Sequence, residues 1–392
     1  MSVLFIADDS LFPTNSGGRA EALGECTGLI QAGIKVRLLV SHRLDIPPAD
    51  RERHRAIDPE AIFIKRASAL SSSLRHPLSP YQLSSRVIGR AQVTSITSGP
   101  VINAVIASHE WTLNMGAKLA ERLDAPLILR SHNDEVAYMN SLAGDAGLIR
   151  GAYYRAEAIR LKRLLPALMR KVDFAAVLSD ADSSCYEALG VPTRLIPPVL
   201  TEVTHDIESP IRTPPDNTKI LFVGSLDAPQ AVQGLRWFIA DVLPLVRKTC
   251  PEASLIVAGR RASPTLVREL SRSEGVEYLG EVSDLEPVMS SVRIFVNPVF
   301  GGSGVNMKVG PPSENGIPVV TTTIGARGLD AISGGLSVAN TESGFAKICC
   351  DLLISNVLWI EKSRSLQQGI RSFTSMASGR AFAELALGIS RR

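Results

Sequence analysis

Short, continuous apolar runs alternate with longer stretches of helical period along almost the whole chain. In the first half the apolar runs are Val3–Ala7, Lys35–Ser41, Ile62–Lys65, Val101–Ser108, Leu127–Arg130 and Phe174–Ser179. Helical spacing between them predicts helices over Arg19–Ala32, Tyr81–Thr94, Leu113–Leu123, Ile149–Lys171 and Ala181–Leu189. The apolar runs do not alternate with polar residues, so both faces of each strand are expected to be covered, as in a parallel sheet with helices on either side. Gly33 and Gly190 stand where helix C-caps belong.

The pattern lapses between Pro197 and Asn217, where PPVLTEVTHDIESPIRTPPDN has no period and is rich in Pro, Thr and acidic residues. This segment reads as a linker. A second alternating series follows, with strands Lys219–Val223, Ser254–Ala258, Val276–Leu279 and Arg293–Asn297 and helices Ala231–Lys248, Thr265–Ser273 and Asp284–Ser290. Two such series predict an α/β chain of two Rossmann-like lobes facing an interdomain cleft. The expected division is a lobe over 1–200, a linker over 201–217, a second lobe over 218–374 and a C-terminal helix over 375–392 that packs back on the first lobe.

Composition narrows the picture. The 392 residues suffice for two domains, and 45% hydrophobic content supports sizeable cores. A net charge of +3 is too small to suggest a general nucleic-acid binder. Five cysteines without a CxxC pair read as reduced thiols of a cytoplasmic protein. The opening VLFIA run is shorter than a signal h-region, and no apolar run reaches the length of a membrane span.

The most informative stretch is Val292–Asp330: a buried strand, a Gly-rich turn, a helix beside Lys308, a second buried strand and another Gly turn. Gly301, Gly302 and Gly304 let backbone N–H groups converge without Cβ obstruction. The helix that follows is expected to aim its positive end at the same spot, with Lys308 one turn in, which suits a phosphate or diphosphate. The spacing fits neither GxxxxGK[ST] nor GxGxxG.

Several segments in order resemble the GT-B retaining glycosyltransferases of the glycosyltransferase family 4 type. They are SGGRAEALGECTGLIQAGIKVRLL, LRSHNDEVAY, RAEAIRLKRL, AVLSDAD, LFVGSLDAPQAVQGLRWF, LIVAGR, VEYLGEV and the GGSGVNMKV…GIPVVTTTIGARGL block. The resemblance implies a nucleoside diphosphate sugar as donor substrate and no further cofactor. It assigns the diphosphate to Gly302, Ser303, Gly304, Lys308 and Arg260, with Arg261 as an alternative to Arg260. It adds Gly17 and Gly18 from the first lobe and Val282 near the base. It also implies catalysis without a bound metal. The helix after the Gly turn departs from the family: the place of the ribose-binding Glu holds Pro311, followed by Pro312, so that helix is expected to start late or kink. Glu314, about one turn on, becomes the ribose candidate.

Strand ends supply the other candidates. His109 follows one strand; the resemblance implies a contact to the transferred sugar or its phosphate, and the position alone equally suits a helix cap, with Glu110 as its neighbour. His132 and Asn133 follow the next and read as acceptor-side residues, while Asn133 with Asp134 can equally start a helix. Arg130 is open to a buried structural role, and Asp8 and Asp9 to plain turn formation. Asp180 and Asp182 spell a DxD, but Ser179 and Asp180 more naturally cap a helix.

The resulting expectation is transfer of a hexose-type unit to a hydroxyl with retention, in polysaccharide or glycoconjugate synthesis. The leaving phosphate takes the acceptor proton in a front-face reaction. The acceptor is a saccharide, a lipid-linked or a small molecule. The basic stretch Ile149–Lys171, with seven Lys/Arg and Glu157 alone opposing them, reads as a peripheral contact to an anionic membrane on its cytoplasmic face or as a solvated surface. Two other readings stay open: a degenerate GT-B protein that binds a sugar or a partner, and a sugar-nucleotide epimerase or hydrolase.

Overall fold

The computed structural model describes all residues except Asn15, Asn133, Ala146, 202–211, Ser303 and 389–392. Its chain divides into two compact units, Met1–Glu202 with Thr374–Arg392, and Val203–Phe373.

Unit 1 is built on a seven-stranded sheet. Its strands are β1 (Ser2–Ala7), β2 (Lys35–His42), β3 (Ile62–Lys65), β4 (Ala104–Ser108), β5 (Leu127–Arg130), β6 (Phe174–Val177) and β7 (Thr193–Leu195). The order is β3-β2-β1-β4-β5-β6-β7, and every pairing is parallel. Central strands are buried on both faces, as their unbroken apolar runs require: Val3 through Ala7 are all inaccessible to solvent. One helical layer covers each face, with Leu4, Ile6 and Val105 in one core and Val3, Phe5 and Ile106 in the other.

Unit 2 repeats the plan with six strands, β8 (Lys219–Ser225), β9 (Ser254–Arg260), β10 (Val276–Gly280), β11 (Ile294–Asn297), β12 (Val319–Thr321) and β13 (Leu336–Val338). They are ordered β10-β9-β8-β11-β12-β13, again all parallel. Two doubly wound parallel sheets are the architecture that the apolar pattern implied. Each order reverses direction once, between β1 and β4 and between β8 and β11, and helices leave the two flanking strand ends toward opposite faces. Ligands of such sheets bind in the crevice this opens.

Some expected elements differ. The helix expected over Tyr81–Thr94 is two short helices, Tyr81–Ser84 and Arg90–Thr97. In the break the Ser85 carbonyl accepts from Ala67 N–H (2.8 Å), and Arg86 turns inward to Asp8. Gly89, a poor helix former, caps the second piece. The strand expected from Val101 begins only at Ala104, and Asn103 instead accepts from Ser2 N–H (2.8 Å). Helices Pro48–Ile57 and Ala69–Arg75 lack a clean apolar stripe and were not expected, whereas helix Glu135–Asp145 follows Asp134, which was read as able to start one. Gly33 and Gly190 have the positive φ of helix C-caps, at 79° and 80°.

The C-terminal helix Ser375–Gly388 lies against helix Gly17–Gln31 within unit 1. The contact is backbone on backbone: a Cβ on Gly28 would fall 1.9 Å from the Ser375 carbonyl oxygen, and one on Gly379 would fall 2.0 Å from Gly28. Helix Gly17–Gln31 opens onto the crevice of unit 1, so this approach helps to fix one wall of the site. Gly28→Val should destabilise unit 1 by about 1–3 kcal/mol through overpacking. Urea unfolding followed by circular dichroism checks this, and an unchanged midpoint would mean that the two helices are not so closely apposed.

Candidate active site

Unit 1 gathers its buried charges at the C-terminal ends of β1, β4 and β5. Asp8 and Asp9 follow β1, His109 follows β4 and His132 follows β5. With Gly18, Arg19 and Ser108 they line a cavity of about 240 Å³ at the point where the strand order reverses.

His109 is held in an unusual state. Its φ of 88° is left-handed, a conformation that costs a non-glycine residue about 1–3 kcal/mol and persists only where surroundings enforce it. Its N–H donates to the Arg130 carbonyl (2.9 Å). Its ring lies between Trp111 and His132, with centroids 5.7 and 5.3 Å away and both planes within 18° of parallel. Nε2 is 3.2 Å from Glu135 Oε1, and Nδ1 is 3.2 Å from Glu110 Oε2. Burial opposes a charge here, but Glu135 and then Glu110 outweigh it and raise the His109 pKa to about 9. Trp111 N–H also points at Nδ1 from 3.4 Å, a contact that only an unprotonated nitrogen could accept. The shorter carboxylate contacts favour the imidazolium. Burial pushes the Glu110 carboxyl upward, which leaves Glu135 as the principal counter-ion. Glu110 is fixed in turn by the Tyr186 hydroxyl, which donates to Oε1 at 2.5 Å.

His132 is the opposite case. Burial, with the charges of His109 and Arg130 beside it and those of Glu21 and Asp8 opposing, lowers its pKa to about 4. Its Nε2 lies 3.2 Å from Ser108 Oγ. A charged imidazole is therefore stacked on a neutral one. Arg130 is wholly buried. It reaches Glu21 (2.6 Å) and Glu25 (2.5 Å) and donates to the Ile196 carbonyl (2.6 Å), so its role is structural. Burial raises the Glu25 carboxyl to about 8 despite Arg130.

Asp8 and Asp9 do more than turn the chain. Arg86 lies 2.5 Å from Asp8, and Arg66 also faces it at 3.6 Å. Burial of the carboxyl is outweighed by Arg86, and the Asp8 pKa falls below its ordinary value. Asp9 pairs with Arg19 at 2.9 Å and accepts from Ser10 N–H at 2.9 Å. Arg66 directly follows β3, the same strand-end signal that marked His109, but was not singled out, while Arg86 lies in an irregular segment whose spacing carries no signal. Gly17 and Gly18 open helix Gly17–Gln31, whose N-cap Ser16 makes no side-chain cap bond and whose first turn has no acidic residue. A Cβ on Gly18 would meet nothing within 4 Å.

In unit 2 the Gly turn follows β11, again where the strand order reverses. Gly302 and Gly304 have φ of 112° and 81°, values that glycine adopts without strain. Ser303 lies outside the described residues, as does Asn133 of unit 1. Before the turn, Phe300 packs edge-on against Trp237 at 4.7 Å. Lys308 is in a 3-10 turn, Met307–Val309, and not one turn into an α-helix as expected. The α-helix begins only at Gly310, holds Pro311 and Pro312 in its first turn and ends at Glu314. Proline tolerates the first turn, where its missing N–H has no intrahelical partner to lose. The Lys308 ammonium lies 5.1 Å from the Phe222 ring centroid and has no ion pair among the described residues. Burial alone lowers its pKa to about 8.

The remaining candidates are spread along the same edge. Arg260 ends β9, with β8 between it and β11. Arg261 is exposed and engaged with Asp227 at 3.1 Å. Val282 is half-buried in the loop after β10. Glu314 is exposed at the last position of its helix, whereas Pro311 is in the first turn. In unit 1, Ser179 caps helix Asp180–Glu187 by accepting from Asp182 N–H (3.3 Å), which is the capping reading of the DxD letters. His109, Glu110 and Glu135 each offer a ligand atom within 4.8 Å of the others, a grouping able to take a cation. Each ring nitrogen of His109 faces one of the two carboxylates, so its imidazolium already supplies one positive charge where a cation would sit.

Residues 217–355 match the family model described as glycosyl transferases group 1. A 44.6 kDa protein of the cps region of Klebsiella pneumoniae is 28% identical over 357 residues, covering 88% of this chain and 89% of that protein. Among solved structures, Anabaena HepE in complex with UDP and glucose aligns over 99% of this chain and 100% of its own, with a TM-score of 0.62 at 14% identity. Sucrose-phosphate synthase from Thermosynechococcus elongatus aligns over 98% of both chains at a TM-score of 0.64 and 14% identity. WaaG, a glycosyltransferase involved in lipopolysaccharide biosynthesis, covers 99% of this chain and 100% of its own at a TM-score of 0.57 and 14% identity. The chain has the GT-B fold, and its second unit carries the group 1 glycosyltransferase signature.

The charge on His109 has a thermodynamic consequence. Its folded pKa of about 9 lies above the unfolded value of about 6.5. The stabilisation is complete below pH 6.5 or so and is lost as pH rises through 9. Glu135→Gln should pull the His109 titration down by a pKa unit or more, read from imidazole nitrogen shifts of the 15N-histidine-labelled chain. A wild-type His109 that titrates near 6.5 would refute the two-carboxylate clamp.

Proposed function

We propose that this GT-B chain transfers a hexose-type sugar from a nucleoside diphosphate sugar to a hydroxyl acceptor, with retention of anomeric configuration, in polysaccharide or glycoconjugate synthesis. The observation that carries the reading is Lys308. A partly buried ammonium on the residue four positions after the left-handed Gly304, with its pKa depressed by burial and no ion pair among the described residues, is suited to an anionic ligand. A diphosphate would restore its charge and gain the convergent backbone N–H groups. The group 1 match over the same unit supports this, as does the presence of UDP or UDP-glucose in HepE. The cps-region relative supports the polysaccharide setting.

In this reading Lys308 and the Gly turn stabilise the charge that develops on the leaving diphosphate. Arg260 and Val282 flank the donor on neighbouring strands, and Glu314 takes the ribose. Gly17, Gly18 and the imidazolium of His109 provide fixed positive potential in unit 1, where His132 and Asn133 serve the acceptor. No side chain is assigned as nucleophile. The leaving phosphate accepts the acceptor proton as the new glycosidic bond forms on the face the donor leaves, and this geometry retains configuration. The site works without a metal, the protein acts in the cytoplasm, and the basic face of helix Leu148–Met169 makes peripheral contact with an anionic membrane.

Thermal-shift measurements with a panel of nucleoside diphosphates test donor binding. A matching nucleotide at a hundredfold excess over its Kd should stabilise the chain by about 2.7 kcal/mol. Lys308→Ala should weaken that nucleotide by roughly ten- to a hundredfold, as loss of a charge-assisted contact implies. If no nucleotide stabilises the chain, the degenerate sugar- or partner-binding reading motivated by Pro311 prevails. Once turnover is found, an α-linked donor should give an α-linked product by NMR, in the presence of EDTA as in its absence. Donor consumption without acceptor would point to the epimerase or hydrolase.

A further inference from the structure

The segment between β3 and helix Tyr81–Ser84 exposes apolar side chains to an unusual degree. Leu74 and Leu78 are 75% and 81% exposed. Beside them an open groove of about 530 Å³ runs between residues 75–79 and the C-terminal part of helix Leu148–Met169. Pro77, Leu78, Leu164 and Leu168 give it an apolar lining, while Arg75 and Lys171 supply cations. His76 and Asn114 are its other nitrogen-bearing side chains, and no carboxylate lines it. The charge next to it is one-sided. Lys162, Arg163, Arg170 and Lys171 are exposed on or just after the helix. Glu157, the acidic residue of that stretch, is buried and spent on Tyr81 N–H (2.7 Å) and Arg160 (2.7 Å).

We propose that this groove binds the hydrocarbon chain of a phosphate-headed lipid, with Arg75 and Lys171 meeting the phosphate. The proposal deepens the glycosyltransferase reading and rests on it: the acceptor, or the molecule that carries it, is an anionic amphiphile. Two features favour a single inserted chain over a flat membrane contact. The surface is concave, and its apolar residues line the groove instead of standing on a plane. The cations sit within the same lining, where they meet one headgroup directly. The absence of an opposing carboxylate makes the groove complementary to an anion and poorly suited to a neutral head.

The test uses the full chain and dodecyl phosphate below its micelle concentration, with dodecyl maltoside as the neutral-headed control and inorganic phosphate as the chainless one. Isothermal titration should give dodecyl phosphate an advantage of about tenfold over the maltoside, narrowing in high salt. Inorganic phosphate should not bind measurably. Ala167→Trp fills the groove from an exposed position and should abolish binding. The double variant Arg75→Ala, Lys171→Ala should reduce dodecyl phosphate to the level of the maltoside. Circular dichroism establishes that both variants are folded. Equal affinity for both amphiphiles, full binding by Ala167→Trp, or binding of inorganic phosphate alone would each overturn the proposal. Adsorption to anionic vesicles without binding of the monomeric amphiphile would overturn it in favour of a flat membrane contact. Nucleotide stabilisation, measured separately on the same samples, distinguishes failure of the groove from failure of the enzyme reading.

Discussion

The reversal of strand order is the constraint on which the rest of each unit depends. In a parallel sheet every crossover leaves from the C-terminal edge, and neighbouring crossovers crowd that edge unless they depart toward opposite faces. They diverge between β1 and β4 and between β8 and β11. At those two places backbone N–H groups and loop side chains are left without a helix over them. Asp8, His109 and Gly18 occupy the first, and Gly302, Gly304 and Lys308 follow a strand that borders the second. The chemistry is where the topology leaves room for it.

Unit 1 spends its stability there in a particular way. Arg130, Glu21, Glu25, Asp8, Arg86, His109, Glu110 and Glu135 are buried or nearly so. Removing one partner of such a pair exposes an uncompensated charge and costs about 3–5 kcal/mol, while the intact pair adds little net stability. A network of this kind is poorly explained as a stabiliser. It is better explained as a device that biases charge states: Glu25 pushed up, Asp8 held down, His109 raised and His132 lowered although the two rings stack at 5.3 Å. Pairs of like groups driven to opposite states by their surroundings are a common mark of functional sites.

The parallel sheets were legible because buried strands leave continuous apolar runs, and helices of regular period leave stripes. Helix Pro48–Ile57 was not, since its PADRERHRAI sequence is almost wholly polar and only His54 is buried. Within the site, residues directly after strands could be named from sequence: His109, His132 and the Gly turn. Arg86 could not, because irregular chain with no period to read brings it to Asp8, and Arg66, directly after β3, and Glu135, at the start of its helix, carried no signal of the partners they meet. The state of His109 was equally hidden. A histidine at a strand end predicts a cap or a ligand, but the carboxylates of the adjacent Glu110 and the distant Glu135 converge on its ring and favour the charged form, which cannot accept the Trp111 N–H as a cap would.

Pro311 and Pro312 show how local rules bear on function in unit 2. Two prolines in succession can enter a helix only at its first turn, so they force the start to Gly310 and leave five residues before Asn315. The turn that precedes them must then be tighter, and Lys308 falls in that 3-10 segment, near the Phe222 ring and without an anionic neighbour among the described residues. The same prolines that remove a side-chain acceptor from this helix therefore help to hold the lysine against the sheet. Under the donor reading proposed above, the ribose would lose a side-chain contact by this exchange, while Lys308 would remain for the diphosphate.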